Sequence, residues 1–492
     1  MLEPLGRTRW DFTTAAHLLN RAGFGGTPAE IGDLVALGPE KAVAHFLEYE
    51  KVPDPTAPPD WAKPDPDRAE KYQAARRAPE EERRKLLREY QRNERQQMIG
   101  LRTWWLKRMA TGPRPLQEKL TLFWHGHFAT SVEKVRDAYL MWRQNDLFRR
   151  LAAGNWESLL IEVGKDPAML LWLDQAQSRK QHPNENFARE VMELFALGEG
   201  HYTEKDITEG ARALTGWSYD RLTQNFIERP LWHDTGPKVI FGQEGDFKAE
   251  DFLRMIAAQP QSARFITAKL WKYFAGEEPS PGLAEALGTA FRAGGNDFKP
   301  LLRTIFSSQE FYAPSLIRNQ VKSPVQWLVG SVRMLERELP PPFACFGLTR
   351  NLGQDLFAPP NVKGWDGGLS WITTNTLLAR YNEAAVLVRG DTSMAAGASL
   401  AANRPNMTQV FERRLNNPRM KGVEVDKVFP ENERADKQTL IAALEKRLLQ
   451  SKLKPKQEKA LRDYLDSESS LADHVVLNAI RLVMSTPEYQ LT

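Results

Sequence analysis

Apolar residues recur at helical spacing along most of the chain. The segment 11–25, DFTTAAHLLNRAGFG, predicts a helix that Gly23 and Gly25 end. Leu34 to Tyr49 predicts a second helix, and the Pro-rich run from Val52 to Asp67 a loop. Residues 68–110 lack glycine until Gly100 and are dense in Arg, Lys, Glu and Gln, which predicts helix broken near Pro79. That run mixes both charge signs, as a solvated face does. Pro115 to Trp124 carries Leu116, Leu120 and Phe123 on one helical face, and residues 135–175 continue in helices punctuated by Gly154 and Asp166-Pro167. Pro183 to Leu197 reads as a strong helix with Gly198 as its C-cap. Thr203 with Asp206 three residues on spaces a capping box for a helix running to Leu214. Between Trp217 and Asp246 Pro and Gly return, and PLWHDTGPKVIFG predicts a short hairpin around Thr235-Gly236-Pro237. From Phe252 the chain is helical again. FKPLLRTIFSSQEFYAP (298–314) and LNAIRLVMSTPEYQLT (477–492) echo each other, each an amphipathic helix followed by a Ser-to-Glu-aromatic stop. They suggest equivalent helices packing at two ends of one core.

The pattern predicts a mainly α fold: one large multi-helix unit with a minor β-hairpin near residues 226–242. A core helical domain is expected over 1–390, a flexible Gly/Ala/Ser linker over 391–406, and a charged helical segment over 407–492 that packs back on the core.

Composition narrows the function classes. The chain of 492 residues is 41% hydrophobic and 26% charged, ordinary for a globular protein that buries a large core. A net charge of +4 leaves no nucleic-acid footprint. The single cysteine, Cys345, excludes an internal disulfide and a Cys-based zinc site. No apolar run approaches the length of a membrane span, so an integral membrane protein is not expected. Charges at Arg7, Arg9 and Asp11 interrupt any signal-peptide core, which predicts a cytoplasmic location. A P-loop, a Rossmann glycine fingerprint, a nucleophile elbow and an HExxH motif are all missing from the sequence.

Chemistry concentrates in three clusters. There are 8 histidines, and His125 and His127 form an H-x-H pair in WHGHF. On a continuous helix these rings point roughly 200° apart. A helix broken at Gly126 would let both turn to one metal, and two separate histidines at a helix end is the alternative. The second cluster is HPNENFAREVMELF (182–195). On a helical wheel Asn186, Arg189 and Glu193 share one stripe with Glu190 beside it, while Phe187, Val191, Leu194 and Phe195 face the core. His182 is placed at the N-cap. A buried hydrogen-bonded network and the wet face of an amphipathic helix both fit this stripe. The third cluster is His233-Asp234 before Thr-Gly-Pro, either an acid/base pair on a loop or plain turn chemistry.

Several segments together resemble the bacterial family known as domain of unknown function 1800: HLLNRAGFG (17–25), LTLFWHGHFATS (120–131), NENFAREVMELFALGEGHYTEKDI (184–207), ALTGW (213–217), HDTGPKVIFG (233–242), PPNVKGWDGGLSWI (359–372) and the ending STPEYQLT. The resemblance implies a helical bacterial protein, often encoded beside a sulfatase- and phosphatase-like protein that carries an export leader. The resemblance implies no activity of its own, and the three clusters carry two functional readings. One is a metal-dependent hydrolase or oxidoreductase, with His125, His127, Glu190 and Glu193 holding zinc or iron and with His182, Arg189, His233 and Asp234 in catalytic roles. The other is a non-catalytic partner or maturation protein for that neighbouring product, exported with it if at all.

Overall fold

The computed structural model describes residues 2–390 and 421–492. The linker expected over 391–406 lies outside the described residues. Helices dominate, beginning with Phe12–Ala22, which Asp11 and Thr14 close with a reciprocal capping box. The single helix expected from Leu34 to Tyr49 is instead two, Pro28–Leu37 and Pro39–Leu47. Gly38 turns the chain between them at φ 75°, and Pro39 starts the second. The charged run forms Arg68–Arg77 and Glu80–Thr111, parted at Pro79 because Ala78 must leave helical geometry before proline. The first half of the long helix is solvated, and its last turns bury Met98, Leu101, Trp105 and Met109.

β structure is confined to two small antiparallel pairs. Trp217–Tyr219 pairs with Phe226–Glu228, and Lys238–Ile240 with Gln243–Gly245. Thr235-Gly236-Pro237 therefore does not turn a hairpin. The tight turn is Phe241-Gly242, both at positive φ, as a two-residue turn needs to match strand twist.

The buried side chains form two clusters. The first gathers around Trp124, Trp156, Phe195 and Phe298. The second gathers around Trp105, Trp327, Phe357 and Tyr489, and it draws on both the long helix Glu80–Thr111 and the C-terminal residues 423–489. The helix Pro115–His127 stands between them: Leu116, Leu120 and Trp124 face the first cluster, and Leu122 the second. The echoing segments divide the same way. Phe306 and Phe311 lie in the first cluster, Val483 and Tyr489 in the second. Arg21, from the first motif, staples these parts together. Its guanidinium is buried and donates to the carbonyls of Phe274, Leu316 and Thr492 and to the side chains of Asn319 and Gln320.

Candidate functional site

The helix Pro115–His127 runs unbroken through Gly126. His125 and His127 consequently point to opposite sides, one into each cluster. The His125 ring meets Trp105 at 5.2 Å, Phe357 at 5.0 Å and Trp365 at 5.6 Å between centroids. Its Nε2 accepts the Phe357 backbone N–H at 3.0 Å, so the proton sits on the other nitrogen. His127 packs among Phe123, Trp124, Phe128 and Phe195. Its Nε2 donates to the Phe195 carbonyl at 2.9 Å. Burial, aided by the nearby Arg102 charge, pulls the His125 pKa down to about 3, and burial with Lys269 holds His127 well below the usual range. Both are neutral imidazoles committed through Nε2 to backbone. The set His125, His127, Glu190 and Glu193 is thus not brought to one centre, and these residues do not fit a zinc or iron site. Among the described residues no group of three or more His, Cys, Asp or Glu side chains is placed to hold a metal ion.

The acidic segment starts as α-helix at Glu185–Glu190 and widens into a π-turn at Val191–Ala196. Asn184 caps it by accepting the Asn186 N–H, while His182 is exposed outside the helix in a bridge with Arg179. The extra residue in the π-turn rotates the face beyond it. Phe187, Val191, Met192 and Phe195 are buried, and Leu194 is only half-buried. The last carbonyls of this segment are taken by side chains: Leu194 by Lys269 at 2.8 Å, Phe195 by His127, and Leu197 by Gln261 at 2.9 Å. Burial lowers the Lys269 pKa to about 8. Arg189 does not pair with Glu193. It makes a two-armed bond to Glu204, at 2.9 and 2.8 Å, on the following helix. Glu193 accepts from the Tyr202 hydroxyl at 3.0 Å instead. Glu190 is half-buried, and its carboxyl is raised by burial and then by the like charge of Glu193, against an opposing pull from Lys363.

Lys363 belongs to the loop PPNVKGWDGGLSWI, which lies on the end of the histidine helix. A β-carbon on Gly364 would stand 2.2 Å from the Gly126 carbonyl oxygen, so only glycine allows the approach. Three separated motifs therefore meet here, through His125 with Trp365, His127 with Phe195 and Glu190 with Lys363. Of the residues at this junction, Tyr202, Lys269 and Lys363 were not singled out from the sequence. Lys363 and Trp365 lie within a quoted motif, but nothing local to them shows which helix end they reach.

The His233-Asp234 cluster stands apart from this junction. Asp234 receives both arms of Arg212, at 2.8 and 3.1 Å, and the Gly236 N–H at 2.9 Å. Those bonds, Arg212's first, hold its carboxyl below the ordinary range. His233 Nδ1 donates to the Thr215 carbonyl at 2.9 Å. These bonds shape the turn and close it onto the helix Glu204–Leu214 and the Thr215 corner, which is turn chemistry and not closure of a site with His125 or His127.

The chain matches the family described as protein of unknown function DUF1800 over residues 17–491. It belongs to that family. No curated protein and no solved structure matches it. Three of the motifs of this DUF1800 chain thus meet at the helix that stands between its two cores. Among the described residues no helix is long and apolar enough to cross a membrane.

Proposed function

We propose that this DUF1800 chain is a non-catalytic helical partner protein, its partner being the sulfatase- and phosphatase-like protein that family members are encoded beside. The carrying observation is an apolar ridge that begins in the PPNVKGWDGGLSWI loop. Leu369 is 80% exposed, and the following helix Thr374–Arg389 presents Leu377, Leu378 and Tyr381 outward. The ridge continues to exposed Leu482 on the neighbouring helix, where Arg481 stacks on Tyr381 at 4.4 Å. Exposed apolar side chains gathered in this way mark interaction surfaces. The polar candidates support the same reading, since His125, His127, Arg189 and Asp234 are each engaged in bonds within the chain. In this reading the chain stays in the cytoplasm unless the partner's leader carries it out. The test mixes the two purified proteins and measures complex formation by analytical ultracentrifugation. A stable complex that Leu378→Glu abolishes supports the reading, and no complex overturns it.

A second reading rests on Glu190. A half-buried carboxyl raised by burial and by Glu193 is suited to hold a proton and act as a general acid in a hydrolase. Turnover of an ester or phosphoester that Glu190→Gln eliminates would favour it over the first.

A further inference from the structure

We infer that the surface around Leu231 docks on an anionic lipid bilayer. Leu231 sits in the one-turn 3-10 helix Pro230–Trp232 and is 86% exposed, the most exposed large apolar side chain among the described residues. Beside it, the Trp232 indole is flanked by two guanidiniums, Arg229 at 4.7 Å and Arg179 at 5.5 Å from the ring centre. The 178–183 loop is tied to this turn through its backbone, with the Lys180 N–H donating to the Trp232 carbonyl at 2.7 Å. That bond brings Arg179 and Lys180, both exposed, to the base of the leucine.

None of Arg179, Lys180 and Arg229 enters an ion pair among the described residues, and the two arginines are engaged by the Trp232 ring and not by a carboxylate. In the two segments 178–183 and 228–233 the one acid is Glu228, and the next, Asp234, is neutralised by Arg212. The surface therefore offers net positive charge whose counterions come from outside the chain. Its apolar element is a single side chain projecting from a turn, with an amphipathic indole just behind it. Such a tip enters a fluid acyl layer without needing a matching pocket, as a folded protein partner would have to supply. Cations at its base meet lipid phosphates, and the indole lies at headgroup depth. The attachment is peripheral and reversible, since it rests on one leucine and a few charges.

The test is co-sedimentation of the full chain with phosphatidylcholine vesicles, with and without phosphatidylglycerol. The chain should pellet with the anionic vesicles only, and added salt should release it. Lys180→Glu should weaken binding by about fivefold or more, the fold-change expected for one surface cation near an anionic leaflet. Leu231→Glu should weaken it at least as much, while Leu87→Glu, on the solvated arm, leaves it unchanged. Both tested positions are exposed, so the variants should fold. Equal binding to neutral vesicles, or binding indifferent to Leu231→Glu and Lys180→Glu, overturns the proposal. So does binding to soluble polyglutamate with none to vesicles, which would assign the surface to an acidic protein.

Discussion

Glu118 shows what a buried residue can hold in place. One oxygen accepts Arg108 Nε at 2.8 Å and Arg149 Nε at 2.7 Å, and the other accepts Trp105 Nε1 at 2.9 Å and Arg149 Nη2 at 3.0 Å. Burial alone would raise its carboxyl, but Arg149 and Arg108 outweigh that and keep it ionised. Removing it leaves the buried Arg149 guanidinium without a carboxylate and Arg108 with Asp54 alone. Glu118→Ala should therefore cost roughly 3–5 kcal/mol, measured by urea denaturation. The two central histidines make a pH prediction. Their folded pKa values are depressed, so the unfolded chain takes up protons that the native chain does not. Stability is then fully present above about pH 6.5 and falls as acid is added. For His125 the loss continues down to its folded value of about 3. Each proton contributes a slope of about 1.4 kcal/mol per pH unit in that window. Chemical denaturation across pH should show the slope, and His125→Gln, which keeps an acceptor for the Phe357 N–H, should reduce it.

At the scale of elements, the contact between the histidine helix and the 359–372 loop can be tested with two glycines. Gly126 has open space where a β-carbon would go, whereas Gly364 has none and sits at φ 82°. Gly126→Ala should leave stability unchanged or raise it by up to about 1 kcal/mol through helix propensity. Gly364→Ala should lower the melting temperature markedly and disturb the Trp365 fluorescence. A reversed order would mean that the helix does break at Gly126. The π-turn makes a graded prediction of its own. Leu194→Ala should cost clearly less than the roughly 3–5 kcal/mol expected for Phe195→Ala in thermal unfolding, because only Phe195 is fully buried. Here the sequence was legible where local rules act alone. The Thr203/Asp206 capping box and the break at Pro79 need only neighbours within a few residues. The rotation of Leu194 was not legible, because periodicity assumes one pitch and the π-turn changes it. Nor was the fate of the H-x-H pair, since Gly126 permits a break that the tertiary packing of Phe357 and Phe195 against the two rings does not use. Helical spacing puts Arg189 and Glu193 on one stripe, yet Glu204 offers Arg189 a two-armed bond from another helix.

On the scale of the whole molecule, the second core is built from segments far apart in sequence. Val325, Trp327 and Leu387 pack with Val428, Leu444, Ile480 and Tyr489. A chain ending at Gly390 should thus expose that core, bind a hydrophobic dye and lose its cooperative melt, and a truncated chain that melts normally would show that the C-terminal segment is dispensable. The pattern leads one to expect a C-terminal segment packed back on the core, but it finds amphipathic faces and not which residues they meet. The helix Pro115–His127 has one consequence beyond packing. With a core on either side, its backbone amides cannot reach solvent when only one half of the molecule opens. In native-state hydrogen exchange they should be the slowest in the chain, released only by global unfolding, and their exchange rate would read out the stability of the entire molecule.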